Sequence, residues 1–294
     1  MSPVGKLIII GGGIDKGSYV DGRFDPSNPK NHHFLERGIL KRIIAESKHK
    51  EDSRIAVVTT ASQIPMEVGD EYRNAFELLG ATNVEVLHIG KREVALAEAT
   101  YKSVEQSDVV MFTGGDQLRL TSILGGTPLH DLILRKYETE EFIYAGTSAG
   151  AAAASQSMIY QGSSTEALLK GEIKITSGLG LIDDVVVDTH FTQRGRMGRL
   201  FQAVVGNPKT LGIGLGEDTG LFIREGNIME AVGSGTVILV DGRHITDTSL
   251  TQVELGTPIS IKNIIVHAMS DMDEYNLSQH SFEIHQHPVI DIEE

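Results

Sequence analysis

Residues 143–155, IYAGTSAGAAAAS, decide how this chain folds. An apolar run ends at Gly146, four small residues follow, and then come four alanines and Ser155. A strand that turns sharply into a helix leaves little room for Cβ atoms at the turn, which is what glycines relieve. Gly146-Thr147-Ser148-Ala149-Gly150 also matches Gly-x-Ser-x-Gly, the nucleophile elbow, in which a serine stands exposed at such a turn. The plainer alternative is a glycine-rich turn of the kind that receives phosphate. A strand pattern before the motif and a helix pattern after it favour the elbow.

The flanking sequence repeats the same alternation. Apolar runs at 6–13, 54–62, 84–90, 108–116 and 142–150 each end in Gly, Ser or Thr and read as buried parallel strands. Helical patterns fill the gaps at 33–49, 68–79, 92–105 and 117–136, the last interrupted by Gly-Gly-Thr-Pro. Alternating strands and helices imply an α/β fold, a doubly wound and mostly parallel central sheet flanked by helices, with its site beyond the carboxyl ends of the strands. After 150 come a strand at 184–191, a helix at about 195–205 and then, from about 221, a β-rich part that reads as a meander. No linker, repeat or low-complexity tract divides the chain, so 1–294 is expected to form a single domain with a β-rich extension over about 221–294.

Composition narrows the chemistry. The 294 residues contain no cysteine, which excludes disulfides, thiolate catalysis and cysteine-ligated metal. A formal charge of −14 opposes phosphate backbones and anionic lipids, so neither nucleic acid nor membrane is an expected partner. The apolar run near the N-terminus is too short for a signal-peptide core and no stretch approaches the roughly 20 apolar residues of a membrane span. The expectation is a cytoplasmic protein. No metal and no cofactor is expected either: His285-x-His287 lacks further ligands at suitable spacing beyond His280 and Glu283. Residues 11–18, GGGIDKGS, resemble a dinucleotide loop only superficially, because Lys16 occupies the place of the third glycine.

A serine nucleophile needs a base, and the base an orienting carboxylate. Among the histidines after Ser148, His190 is best placed, since it closes the apolar run DVVVDTHF and has Asp188, Arg194, Arg196 and Arg199 around it. On the residues alone Asp188 is a candidate for the carboxylate. Three arginines at the start of an amphipathic helix are ordinarily a solvated face, but cations there oppose the helix dipole, so a role in holding substrate carboxylates stays open. Gly114, Gly115 and Gln117 end another strand at the same edge, where backbone N–H groups can face an oxyanion.

Taken together and in order, GGGIDKGS, FTGGDQ, GTSAGAAAAS, SSTE, DTHFTQRGRMGRL and GIGLGEDTGL resemble the cyanophycinases, serine peptidases related to peptidase E on a class I glutamine amidotransferase-like, flavodoxin-like fold. The resemblance runs from about residue 5 to about 240. It implies an exopeptidase that cuts cyanophycin, a polyaspartate carrying arginine on each side chain, into β-Asp-Arg dipeptides through an acyl-enzyme. Ser148 would be the nucleophile, His190 the general base and Glu166 of SSTE the third member. The N–H of Ala149 with that of Gly114 or Gly115 would form the oxyanion hole. Gln117, Asp188, Thr189, Arg194, Arg196 and Arg199 would line the substrate pocket, with Thr189 departing from the amide residue usual before the histidine. The resemblance also implies a homodimer. Two other readings remain: a peptidase E-like enzyme for aspartyl or isoaspartyl dipeptides, and a non-catalytic small-molecule binding protein using Gly11–Gly13 and Gly114.

Overall fold

The computed structural model describes residues 2–20 and 23–285, so His287 of the C-terminal histidine pair lies outside the described residues. From the N-terminus come β1 (Lys6–Ile10), a hairpin of β2 (Tyr19–Val20) and β3 (Arg23–Phe24), and helices α1 (Pro29–Glu36) and α2 (Ile39–Glu46). The alternating half continues through β4 (Ile55–Val58), α3 (Pro65–Leu78), β5 (Val84–Leu87), α4 (Arg92–Ala95), α5 (Glu98–Glu105), β6 (Val109–Phe112), α6 (Gln117–Leu124), α7 (Pro128–Thr139) and β7 (Ile143–Thr147). Then follow α8 (Ala149–Ala154), β8 (Ser155–Gln161), β9 (Lys174–Ser177), β10 (Ile182–Thr189), α9 (Met197–Gly206) and β11 (Leu211–Leu215). The remainder is strands: β12 (Thr219–Arg224), β13 (Ile228–Gly233), β14 (Val237–Asp241), β15 (Asp247–Thr248), β16 (Ile261–Lys262), β17 (Ile265–Met269), β18 (Glu274–Asn276) and β19 (Ser281–Glu283).

The five apolar runs singled out from the sequence are the parallel strands β1, β7, β6, β4 and β5 of one sheet. Beside β1 that sheet is extended antiparallel by β12, β13, β18 and β19, giving nine strands among the described residues. The expected α/β architecture with a β-rich C-terminal part is present. The sequence leaves open which sheet the strand at 184–191 joins. It lies not in the central sheet but in a second one, ordered β17-β14-β11-β10-β8-β9, whose β8, β10 and β11 run parallel. The inner strands of both sheets are buried on both faces, and apolar composition alone does not say which sheet such a strand joins.

Side-chain alternation shows how the layers stack. Leu7 and Ile9 of β1 share a buried cluster with Val185 and Val187 of β10 and Ile213 and Leu215 of β11, while Ile8 and Ile10 face Ile39, Ile43 and Phe76 of α2 and α3. Val186 points the other way, onto Leu200 and Val204 of α9. Each such fully buried side chain stabilises the fold by about 1.5–3 kcal/mol relative to exposure. Between the sheets lies α8, with all six residues buried, and only alanine and glycine fit there.

Two helix expectations are refined. The pattern at 33–49 divides at Gly38, whose extended backbone (φ −61°, ψ 150°) separates α1 from α2, and 92–105 divides into α4 and α5. The break at Gly-Gly-Thr-Pro occurs as the sequence predicts. Thr127 caps α7 by accepting the His130 N–H at 3.2 Å, and Pro128 takes the first turn, where a missing N–H costs nothing. No helix among the described residues is long and apolar enough to cross a membrane.

Candidate active site

Ser148 sits between β7 and α8 with φ 51° and ψ −105°, a conformation that few non-glycine residues adopt. The motif's two glycines make this turn possible by close approach. A Cβ on Gly146 would come within 2.5 Å of the Gly150 carbonyl group, and one on Gly150 would come within 2.6 Å of the Phe112 carbonyl oxygen. Strand, turn and helix therefore touch backbone to backbone, and the Ser148 N–H donates to the Ile10 carbonyl at 2.8 Å. The elbow expected from the sequence is the observed geometry.

His190 follows the last residue of β10, with its own backbone at φ 49°. Its Nε2 is 3.0 Å from Ser148 Oγ, so the serine of one sheet meets the histidine of the other across the gap between them. On the far side of the ring, Nδ1 is 2.7 Å from Glu217 Oε1. Nδ1 then carries the proton given to the carboxylate, which leaves Nε2 as the acceptor for the serine hydroxyl. The imidazole is 15 % exposed and the Glu217 side chain 43 %, so the carboxylate end of the relay is wet.

Glu166 is placed elsewhere. It is exposed on the turn 163–166, where its N–H donates to the Ser163 hydroxyl oxygen at 3.3 Å. That turn belongs to the β8–β9 connection, which is pinned onto α9: Gln202 donates to the carbonyls of Ala167 and Leu169 and accepts the Gly171 N–H. The imidazole's Nδ1 edge instead faces the end of β11. A signal for this existed in the sequence. The chain from β10 through α9 to β11 is a strand–helix–strand unit, and in such a unit the residues just beyond the two parallel strands lie side by side. Thr189 is paired with Leu215, so His190 and the Gly216-Glu217 step emerge together.

Of the oxyanion candidates, Gly114 lies against the serine side chain and Ala149 follows the serine in sequence. A Cβ on Gly114 would lie 3.3 Å from Ser148 Cβ and 3.8 Å from its Oγ, which puts this loop directly against the serine. Gly115 packs on the Ala61 carbonyl, and the next residue, Asp116, donates its N–H to the same oxygen at 2.9 Å and caps α6. Ala149 opens α8, where a helix has N–H groups without intrahelical acceptors. Gln117 donates its amide to the Ile159 carbonyl at 3.0 Å, joining α6 to β8.

Asp188, the carboxylate candidate beside His190 in sequence, is bonded to arginines and not to the imidazole. It is 3 % exposed and already carries two guanidiniums: Arg196 Nη1 at 3.1 Å from Oδ1 and Arg199 Nε at 3.1 Å from Oδ2. Burial pushes the Asp188 carboxyl up from the usual aspartate range, against the pull of Arg199 and Arg196, and burial likewise pushes the Arg196 guanidinium down. Arg196 also donates to the Thr189 carbonyl at 2.8 Å and Arg199 to the Gly162 carbonyl at 3.1 Å. Arg199, 5 % exposed, is thus an internal brace rather than a solvated face, Thr189 is buried beneath the group, and Arg194 alone of the three is exposed. Asp188→Asn should destabilise the protein by about 3 kcal/mol or more, because two desolvated cations lose their counter-charge. Chemical denaturation measures this, and a loss under about 1 kcal/mol would show that the brace does not depend on the carboxylate.

Among the described residues no group of three or more histidines and carboxylates is arranged to hold a metal ion. The chain is 38% identical over 225 residues to a cyanophycinase of Trichormus variabilis, covering 76% of each. It is 37% identical over 229 residues to a cyanophycinase of Geminocystis herdmanii, covering 78% of this chain and 84% of that one. A peptidase from an acI-B1 actinobacterium shares the fold, with a TM-score of 0.61 at 24% identity over 82% of this chain and 92% of that one. The profile of Peptidase family S51 matches residues 27–231, which include the serine elbow, His190 and Glu217, and the chain belongs to that family.

Proposed function

We propose that this protein hydrolyses cyanophycin to β-Asp-Arg dipeptides at Ser148, with His190 as general base and Glu217 orienting the imidazole. The observation that carries the reading is the unbroken chain from Ser148 Oγ to His190 Nε2 (3.0 Å) and from His190 Nδ1 to Glu217 Oε1 (2.7 Å), in a member of a peptidase family whose curated relatives are cyanophycinases. Ser148 Oγ attacks a main-chain aspartyl carbonyl while Nε2 takes its proton. The N–H of Ala149 with that of Gly114 or Gly115 receives the oxyanion, and the proton passes to the leaving amine. Water, activated by the same imidazole, then releases the acyl group.

In this reading Arg194 is the arginine that meets a substrate carboxylate, because Arg196 and Arg199 are engaged by Asp188. Gln117 and Thr189 are assigned to the pocket on the family resemblance alone. Lysine keeps the charge but not the planar fork, so Arg194→Lys should lower kcat/KM on the polymer at least about tenfold, about 1.4 kcal/mol, with unchanged thermal stability. Wild-type efficiency in both Arg194→Lys and Arg194→Ala would remove Arg194 from the pocket. The buried cluster shared by both sheets supports taking the described residues as one peptidase domain. A homodimer is proposed on the family resemblance alone, and a cytoplasmic place on the lengths of the apolar runs in the sequence.

The test is to incubate the protein with insoluble cyanophycin and, separately, with β-aspartyl and α-aspartyl dipeptides, and to identify products by mass. Soluble β-Asp-Arg from the polymer is the expected result. Cleavage of the dipeptides with the polymer untouched would assign the peptidase E-like reading instead. Absence of any cleavage, together with a Ser148 that does not react with a fluorophosphonate, would leave a binding protein.

A further inference from the structure

The triple glycine at 11–13 has no part in the chemistry above, yet it lies at the centre of the site. Three consecutive carbonyls of this segment each accept one backbone N–H from the reacting elements: Ile10 from Ser148, Gly11 from His190 and Gly12 from Asp218, each at 2.8 Å. The serine elbow, the histidine and the residue next to Glu217 are therefore all registered on one stretch of β1 and its continuation. Gly13 continues the contact, since a Cβ there would lie 3.0 Å from Glu217 Oε2.

Gly12 is the closest of the three to the ring. Its φ is +110°, and a Cβ on it would fall 2.3 Å from His190 Cε1, 2.5 Å from Nε2 and 2.9 Å from Nδ1. Those three atoms are the edge of the imidazole that carries both nitrogens. Ordinary contact starts near 3.4 Å, so the ring would have to retreat by about 1 Å to admit a methyl group. That retreat would occur along the edge that holds the 3.0 Å bond to Ser148 and the 2.7 Å bond to Glu217.

We propose that Gly12 is a positioning residue, whose bare Cα forms the bed that sets the His190 imidazole between Ser148 and Glu217. The role rests on the serine mechanism proposed above, and it gives GGGIDKGS a purpose other than nucleotide binding. A misplacement of about 1 Å in a reacting group costs on the order of 100-fold in rate.

The test uses the full-length protein and three readouts. Gly12→Ala should slow fluorophosphonate labelling of Ser148 and lower kcat on the cleaved substrate by about 100-fold, with KM within about threefold of wild type. Gly180→Ala, at a φ of +71° with no atom within 4 Å of the added methyl, serves as the control for backbone strain and should keep wild-type activity. The third readout is thermal: if the ring is what the methyl meets, Gly12→Ala should lower Tm by at least about 3 °C less in a His190→Ala background than in the wild type. If Gly12→Ala alone does not fold, the double variant should.

Wild-type labelling of Gly12→Ala, an equal Tm loss in both backgrounds, or a double variant that also fails to fold would each overturn the proposal. A wild-type protein whose Ser148 does not label would instead refute the serine mechanism, while the Tm comparison would still report the contact between Gly12 and the ring.

Discussion

Ser148→Ala should leave the fold intact and lower turnover by about 10⁴-fold or more, the scale on which removal of a serine nucleophile acts in other hydrolases. The fold is expected to survive because the strain of this turn is borne by the close approach of Gly146, Gly150 and Phe112, none of which involves the hydroxyl. Alanine also keeps the Cβ that Gly114 faces. The hydroxyl's partner in the structure is His190 Nε2, which lies on a largely buried ring that keeps its bond to Glu217 once the serine hydroxyl is gone. Turnover assays and circular dichroism on the same preparation check both halves. Near-normal turnover would exclude Ser148 as nucleophile.

The second large effect separates two glutamates. Glu217→Gln should lower kcat by about 10²- to 10³-fold, because an amide next to Nδ1 no longer stabilises the imidazolium that forms when the serine proton is taken. A fully buried triad carboxylate costs more when neutralised, on the order of 10⁴-fold. Glu217 is 43 % exposed, so water partly replaces its charge and the smaller figure applies here. Glu166→Gln, on an exposed turn whose neighbours are held by Gln202, should change kcat by no more than about twofold. If Glu166→Gln proves the more damaging variant, the orienting role returns to Glu166.

These two variants also mark how far the site could be read without coordinates. Ser148 and His190 were legible because each closes an apolar run, and a residue that ends a parallel strand faces the crevice where α/β proteins place their sites. Glu217 closes such a run too, LGIGL followed by Gly216, but its pairing with His190 depends on β10 and β11 being neighbours, 27 residues apart in sequence at the two functional positions. Local sequence offers Asp188 as a candidate carboxylate for the histidine, whereas its partners are Arg196 and Arg199 eight and eleven positions on, brought back by the start of α9. Gly12 reads in the sequence only as part of a small-molecule-binding loop, since nothing local announces that an imidazole from residue 190 will rest on it.

The amino-acid sequence by itself determined the parallel strand–helix alternation up to Ser148, the sharp elbow and the residue at its tip, and it excluded thiol chemistry. Those features follow from short-range sterics: side chains alternate along a strand, glycine relieves a tight turn, and a chain without cysteine has no thiolate. Tertiary packing alone sets that β8–β11, β14 and β17 form a second sheet while β12, β13, β18 and β19 return to the first, that the serine of one sheet meets the histidine of the other, and that Glu217 rather than Glu166 lies against the imidazole. Each of these depends on which buried strands pair, and strands apolar on both faces carry no mark of their neighbour until the layers pack.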